Sequence, residues 1–574
     1  MSWQSIFQYA LFLAIVIACV KPVGLYLFGV FNGGKTLLDP ILLPVERFIY
    51  RVGGIDPDTQ MDWKQYTLAF ILFGALGTAL LFAILMLQRF GPWFDAAHQN
   101  TPMTIDLALN TAISFATTTT WQAYGGETTV SYFSQIVGLT AQNFLAGAAG
   151  LAVGVAFMRG LAREKTDGLG NFWVDLTRSI LWVLLPLSLL GGVLLIWQGV
   201  PMNLNPYTSA TGLEGHAQSI AQGPIAALET IKNLGTNGGG FFNVNGAHPY
   251  ENPTPLTGLV EMLMVAVLPA ALTYTFGKMV GSTRQGWLIF WVMTGLFVAG
   301  LAVCAWAEQS GNPHLAALGV DAHATAFQSG GNMEGKEVRF GIHGSVLTAI
   351  TTSNGATGSY NSMHDSFTAL GGMAPLVNML LGEIIYGGLG TGFYAMVMLI
   401  LVSVFIGGLM VGRTPTFLGK QITARETRLI GIYMVVSSAV VLVLTAVAVV
   451  TPWGLAGLTT NQGPHGLTSV LFAYASSLAN NGQNFAGLSA NSLFYNSTTA
   501  IAMLVGRFGL AALALAMAGA FAQQGRKVTS SGTLATDTPT FAFLLVGTTI
   551  ILAGLSYLPI LALGPILEHL AMAG

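Results

Sequence analysis

The chain has 574 residues, of which 53% are hydrophobic and 8% charged, and its formal net charge is -2. A soluble domain carries about 25% charged residues, so this composition excludes a soluble enzyme and reads as an integral membrane protein. The near-neutral charge offers no basic surface for nucleic acid, and two cysteines in apolar runs, Cys19 and Cys304, argue against a disulfide framework.

A helical span needs roughly 20 apolar residues, and ten segments qualify. The first, 6–27, follows no basic region and no small-residue cleavage site, so it reads as a retained span. The others are 66–88, 131–158, 179–198, 255–277, 285–307, 371–412, 429–451, 491–523 and 541–565. Spans two to nine pair off, and each pair encloses a stretch that fits a short helix followed by a polar loop. The short helices are Asp106 to Ala116, Pro224 to Leu234, His343 to Thr351 and Pro464 to Leu478. The expected fold is an all-α membrane protein with ten transmembrane helices. Four span-pore-span repeats, with re-entrant pore helices and filter loops, stand in fourfold pseudosymmetry. The expected units are an extra N-terminal span (1–30), repeats at 60–160, 172–278, 284–413 and 427–525, and an extra C-terminal span (538–574).

The loops carry a periodic mark. Asn237-Gly238, Asn354-Gly355 and Asn481-Gly482 recur at glycine-to-glycine steps of 117 and 127 residues. One step of 117 back from Gly238 reaches Trp121, within Thr117-Thr118-Thr119-Thr120-Trp121-Gln122. A fixed period means one structural unit used repeatedly. Glycine tolerates positive φ, so successive carbonyls can point at one axis, and rings of carbonyl oxygens replace the hydration shell of a potassium ion. The loops hold no carboxylate, which argues against a tight calcium site. The filter assignment covers Thr119, Thr120 and Gln122; Thr236, Asn237, Gly238 and Gly239; Ser353, Asn354 and Gly355; and Asn480, Asn481 and Gly482, with K⁺ bound only there.

The seventh segment is 42 residues from Gly371 to Gly412, too long for one crossing. It contains Glu383 and the run Gly387-Gly388-Leu389-Gly390, and is read as a broken helix bordering a gate or tunnel, since irregular backbone at membrane depth must be covered by protein or line a cavity. Arg507 is the basic residue in the middle of an apolar segment. A charge at that depth faces a cavity or a partner, so it is assigned as a positive barrier below the filter, with an ion pair to Glu383 or Glu261 as the alternative. Loops after odd-numbered spans hold sixteen of the 22 lysines and arginines, including Arg413, and the four loop connections hold four. The positive-inside rule then puts the N-terminus and all four polar loops outside. Those connections also carry eleven acidic residues, among them Glu229, Glu251, Glu308 and Asp365, read as a cation-concentrating vestibule or as a plain consequence of loops poor in lysine and arginine. His364-Asp365 and His465 read as solvated loop groups. The sequence contains no Asp-Lys-Thr-Gly phosphorylation sequence.

At several stretches the chain resembles the potassium-binding subunit family of the bacterial Kdp potassium-transporting ATPase, within the superfamily of potassium transporters. They are Leu234-Gly-Thr-Asn-Gly-Gly-Gly-Phe-Phe-Asn243, Glu251-Asn-Pro-Thr254, His364-Asp-Ser-Phe-Thr-Ala-Leu-Gly-Gly372, Gly412-Arg-Thr-Pro415, Phe485-Ala-Gly-Leu-Ser-Ala-Asn491, Gly506-Arg-Phe-Gly509 and Ser530-Ser-Gly-Thr-Leu534. The resemblance implies a non-catalytic subunit of a pump in the bacterial inner membrane. Such a subunit binds no cofactor. It selects potassium outside and passes the ion along a tunnel to a P-type ATPase catalytic subunit, alongside two small membrane subunits. The family's first loop often reads Thr-Asn-Thr-Asn-Trp-Gln, whereas Thr118 and Thr120 stand here. A stand-alone potassium channel or symporter of the same superfamily is the alternative function.

Overall fold

The computed structural model describes residues 3–99, 101–325, 328–410, 412, 414–527 and 534–573. Arg413 and most of the Ser530-Ser-Gly-Thr-Leu534 stretch lie outside the described residues. Ten helices among those described are long and apolar enough to cross a membrane, so the chain is a multi-pass membrane protein. In chain order the helices that matter are α1 (Trp3–Phe31), α2 (Trp63–Leu87), α3 (Ile105–Ala116), α4 (Ser134–Ala162), α5 (Phe172–Trp197) and α6 (Ile225–Leu234). Then come α7 (Pro255–Met279), α8 (Thr283–Gln309), α9 (Gly341–Asn354), α10 (Ala369–Leu380) and α11 (Thr391–Met410). The last four are α12 (Ala424–Val450), α13 (Gly463–Ala479), α14 (Leu493–Gln523) and α15 (Pro539–Met572). Two hairpins add the only strands among the described residues: β1 (Thr208–Thr211) with β2 (Ala217–Ile220), and β3 (Thr416–Phe417) with β4 (Lys420–Gln421).

Local chemistry sets where the spans begin. Asp62 accepts from the Lys64 and Gln65 amides at the start of α2, and Thr254 and Thr423 form the same reciprocal caps before α7 and α12. These caps satisfy amides that helix geometry leaves without partners.

Burial separates the two helices of each unit. The most apolar window of α4 is 89% buried, whereas those of α2 and α12 are 22% buried. In every unit the second span is the more buried of the two: 61% against 39% in the second, 67% against 50% in the third and 61% against 22% in the fourth. Close packing follows from small side chains, as expected between membrane helices. A methyl group on Gly154 of α4 would lie 2.5 Å from the Gly390 Cα, so at this point repeat 1 and the seventh segment meet backbone to backbone. That segment is broken as its length demands: α10 ends at Leu380, α11 begins at Thr391, and Glu383 and Tyr386 between them have positive φ.

Candidate functional site: four loops closing one ring

Each short helix (α3, α6, α9 and α13) ends in a loop that folds back onto the helix it left. The amides of Thr119 and Thr120 donate to the Ser114 carbonyl (2.9 and 3.0 Å). Those of Asn237 and Gly238 donate to Lys232 (2.9 and 3.0 Å), Thr357 donates to Thr352 (3.2 Å) and Asn481 to Ser476 (2.9 Å). The span between donor and acceptor is five residues in every case for Thr119, Asn237, Thr357 and Asn481, which makes these four equivalent.

This register corrects the periodic mark in two of the loops. Asn354 is the last residue of α9 and Gly355 its cap, with φ -83°. The residues that match Asn237-Gly238 are Thr357-Gly358, three positions later. In the first loop the match to Gly238 is Thr120, not Trp121. The role expected of glycine is also shared with other residues: Thr118, Thr236, Ala356 and Asn480 take the left-handed conformation at the start of each loop (φ 49–61°), and Thr120 takes it again (φ 50°) where Gly238 and Gly482 have φ 86° and 80°. Left-handed threonine is strained and persists only where surroundings impose it.

The loops then meet edge to edge. Thr120 Oγ1 donates to the Asn237 carbonyl (2.5 Å), joining loops 1 and 2. A methyl on Gly238 would lie 2.1 Å from the Gly358 nitrogen, one on Gly358 would lie 2.9 Å from the Asn481 carbonyl oxygen, and one on Gly482 would lie 1.7 Å from the Thr119 carbonyl oxygen. Those contacts join loops 2 to 3, 3 to 4 and 4 to 1, so the ring is closed. The C-terminal ends of all four short helices face it, and helix C-termini carry partial negative charge.

Above the ring a cavity of about 10 Å³, room for one water-sized species, is lined by Thr120, Gln122, Gly239, Gly358, Gly482 and Asn484 among others. It leads to a vestibule of about 620 Å³. Gln122 ties loops together, its Oε1 accepting from the Gly240 amide (2.8 Å). Ser353 lies behind the ring, donating to the Ile350 carbonyl and accepting from Asn378 Nδ2 (2.9 Å).

Below the ring runs the break between α10 and α11. Glu383 Oε1 accepts from Asn481 Nδ2 of loop 4 (2.6 Å), and the Leu389 amide donates to Thr236 Oγ1 of loop 2 (2.9 Å). Gly387 and Gly388 approach Asn354 and Ala356 of loop 3. One segment thus bridges three loops from beneath. A cavity of about 120 Å³ opens beside it, lined by Glu383, Thr391, Tyr394, Asn480 and Gly506 among others. Arg507 sits in a π-helical turn, Val505–Gly509, a distortion frequent at functional positions. It is 2% exposed, donates from Nη2 to the Ala146 carbonyl (2.8 Å) and stacks 5.6 Å from the Phe70 ring. It makes no ion pair with Glu383 or Glu261 among the described residues.

Two further expectations change. Several acidic residues assigned to the vestibule are interior: Glu229 and Glu251 both pair with Lys232 (2.7 and 2.6 Å), and Glu308 pairs with Lys336 (2.7 Å). His364 is fully buried, and His465 bridges Asp365 (2.9 Å) and Glu568 (2.7 Å) rather than facing solvent. Burial pulls the His465 imidazole down, but hydrogen bonds to the two carboxylates outweigh it and raise its pKa to about 9. Composition gave no sign of these pairings, because partners lie up to 103 residues apart.

Paired spans, re-entrant helices and one closed ring define a four-repeat pore-type membrane protein in a single chain. The same fold occurs in the potassium transporter TrkH from Vibrio parahaemolyticus, with a TM-score of 0.51 at 12% identity over 89% of this chain and 97% of that one. The model of the potassium-transporting ATPase A subunit family (KdpA) matches residues 10–570, and the chain belongs to that family. It is similar to proteins named potassium-transporting ATPase potassium-binding subunit. One, from Methylobacterium nodulans, is 52% identical over 99% of this chain and 97% of its own length. Those from Rhodopseudomonas palustris (50%; 99% and 98%) and Koribacter versatilis (47%; 100% and 99%) are comparable.

Proposed function

We propose that this chain binds potassium in the four-loop ring and passes it to a P-type ATPase partner for ATP-driven uptake across the bacterial inner membrane. The observation that carries the reading is the closed ring itself, in which backbone of four loops converges on one narrow opening beneath a vestibule. The ligands are carbonyls of Thr118–Thr120, Thr236–Gly238, Ala356–Gly358 and Asn480–Gly482, with the Thr120 hydroxyl as a further oxygen. Coordination by these oxygens replaces the ion's hydration shell, and the helix ends behind the loops add negative potential. The loops and the N-terminus face the outside, consistent with the lysine and arginine asymmetry.

The segment from Glu383 to Gly390 closes the pore from below, and the guanidinium of Arg507 raises the electrostatic cost of passing straight through. An ion leaving the ring therefore turns aside, toward the cavity beside Glu383 and on to the catalytic partner. In this reading the catalytic subunit hydrolyses ATP, and two small membrane subunits complete the assembly.

The test is potassium-stimulated ATPase activity of the complex that co-purifies with this chain. Gly238→Asp puts a carboxylate in the ring and is expected to abolish discrimination between potassium and sodium. Wild-type stimulation and wild-type preference in that variant would refute the filter. A soluble nucleotide-binding ring in place of an ATPase in the purified complex would favour the stand-alone channel.

A further inference from the structure

Lys232 occupies a position that the other three repeats fill with a hydroxyl. Its equivalents by backbone register are Ser114, Thr352 and Ser476. Ser114 Oγ donates to the Trp121 carbonyl (3.0 Å), and Thr352 Oγ1 accepts from Gln483 Nε2 (2.7 Å), so the bonds made there, to loops 1 and 4, are neutral. Lys232 is fully buried on the side of α6 behind loop 2. An ammonium has three donors, and all three are used: Glu229 Oε2 at 2.7 Å, Glu251 Oε2 at 2.6 Å and Asn245 Oδ1 at 2.7 Å. Asn245, oriented by that bond, donates from Nδ2 to the Gly239 carbonyl (2.5 Å). Glu251, oriented likewise, accepts from the Phe242 amide through Oε1 (2.8 Å). The Lys232 backbone carbonyl meanwhile holds the Asn237 and Gly238 amides.

One residue therefore grips loop 2 at both ends, by its carbonyl at the start of the ring and by its ammonium through Asn245 just past it. We propose that Lys232 is a positioning residue for cation selection, fixing loop 2 through the Lys232–Asn245–Gly239 relay so that the ring holds one radius. Charge-assisted bonds are shorter and about twice as strong as neutral ones, so the Lys232 anchor holds loop 2 firmly. Stiffness there matters because selection among cations of similar charge depends on how closely the oxygens keep their spacing. This inference rests on the reading of the ring as a potassium filter.

The experiment uses the complex co-purified with this chain and measures ATPase stimulation by K⁺ and by Rb⁺. Asn245→Asp keeps the acceptor for Lys232 but replaces the donor to the Gly239 carbonyl with a repelling oxygen. It is expected to raise half-saturating K⁺ at least tenfold and to bring the Rb⁺/K⁺ ratio at least threefold closer to one, with the maximal rate within twofold of wild type. Lys232→Met is expected to shift both in the same direction. Should Lys232→Met fail to assemble, Asn245→Asp decides alone. Wild-type half-saturation and ion ratio in the assembled variants would mean that Lys232 serves only the fold and would overturn the proposal. Gly238→Asp separates the two readings: if it too transports normally the filter reading fails, and if it alone is altered only the Lys232 role fails.

Discussion

Gly482→Ala tests the ring and its register together. Gly482 has φ 80°, and a methyl there would lie 1.7 Å from the Thr119 carbonyl oxygen and 3.2 Å from the Trp121 nitrogen. Left-handed backbone costs an L-residue about 1–2 kcal/mol. The oxygen must also retreat by more than about 1 Å to reach a tolerable contact distance, and that oxygen borders the opening where loops 4 and 1 join. Losing one oxygen from a cation's shell forfeits about 1.5–3 kcal/mol, the range for hydrogen bonds to charged groups, or roughly 10- to 100-fold in affinity. Half-saturating K⁺ for ATPase stimulation of the purified complex should rise by that factor while the maximal rate changes little. The companion is Gly355→Ala. Gly355 caps α9 at φ -83°, and its added methyl would lie 2.3 Å from Val265 Cγ1 and 3.0 Å from the Thr351 carbonyl oxygen, a clash borne by α7 and α9 rather than by the ring, so half-saturating K⁺ should stay within about threefold. If Gly355→Ala shifts affinity as much as Gly482→Ala, the assignment of Thr357-Gly358 to the ring is wrong.

Arg507→Ala removes the charge beneath the ring, and vesicles containing the complex should then leak potassium without ATP; tight vesicles would count against the barrier. Arg159 holds Asp175 with two bonds (2.6 and 2.8 Å) and also donates to the Phe31 carbonyl (3.0 Å), so Arg159→Met strands a buried carboxylate. Removing one partner of a buried pair costs about 3–5 kcal/mol, and detergent melting should show a fall of several degrees. His465 has a folded-state pKa raised to about 9, above its ordinary 6.5, so its contribution of about 3 kcal/mol is fully present below pH 6.5 and is lost as pH rises through 9. Melting temperature should therefore fall between pH 7 and 10 in wild type and stay flat in His465→Gln; parallel curves would dismiss the bridge.

Hydropathy and charge asymmetry revealed the ten helices, their pairing and the broken seventh segment, because bilayer thickness and backbone satisfaction leave few alternatives. The loops were legible as loops. Their register was not, because an Asn-Gly pair is a local turn signal and the ring is defined by bonds back to the helix, from Thr357 to Thr352 as from Asn237 to Lys232. Left-handed Thr118, Thr236 and Ala356 hid the repeat further, since tertiary contacts impose a conformation their side chains disfavour. The buried ions were invisible for a different reason. Glu229 and Lys232 sit one helical turn apart, which on sequence alone reads as a solvated face, and Glu251 arrives from a loop nineteen residues on.

A tetrameric channel of identical subunits changes every quarter of its opening when one codon changes. Here the four quarters are separate stretches of one gene. Loop 1 can drift toward threonine while loop 2 keeps three consecutive glycines, and loop 3 can lengthen its approach without disturbing loop 4. Each substitution then samples a quarter of the opening, and its effect on ion preference is graded rather than fourfold compounded. Such a chain can explore unequal openings that strict rotational symmetry forbids, and it can do so without assembling mixed populations.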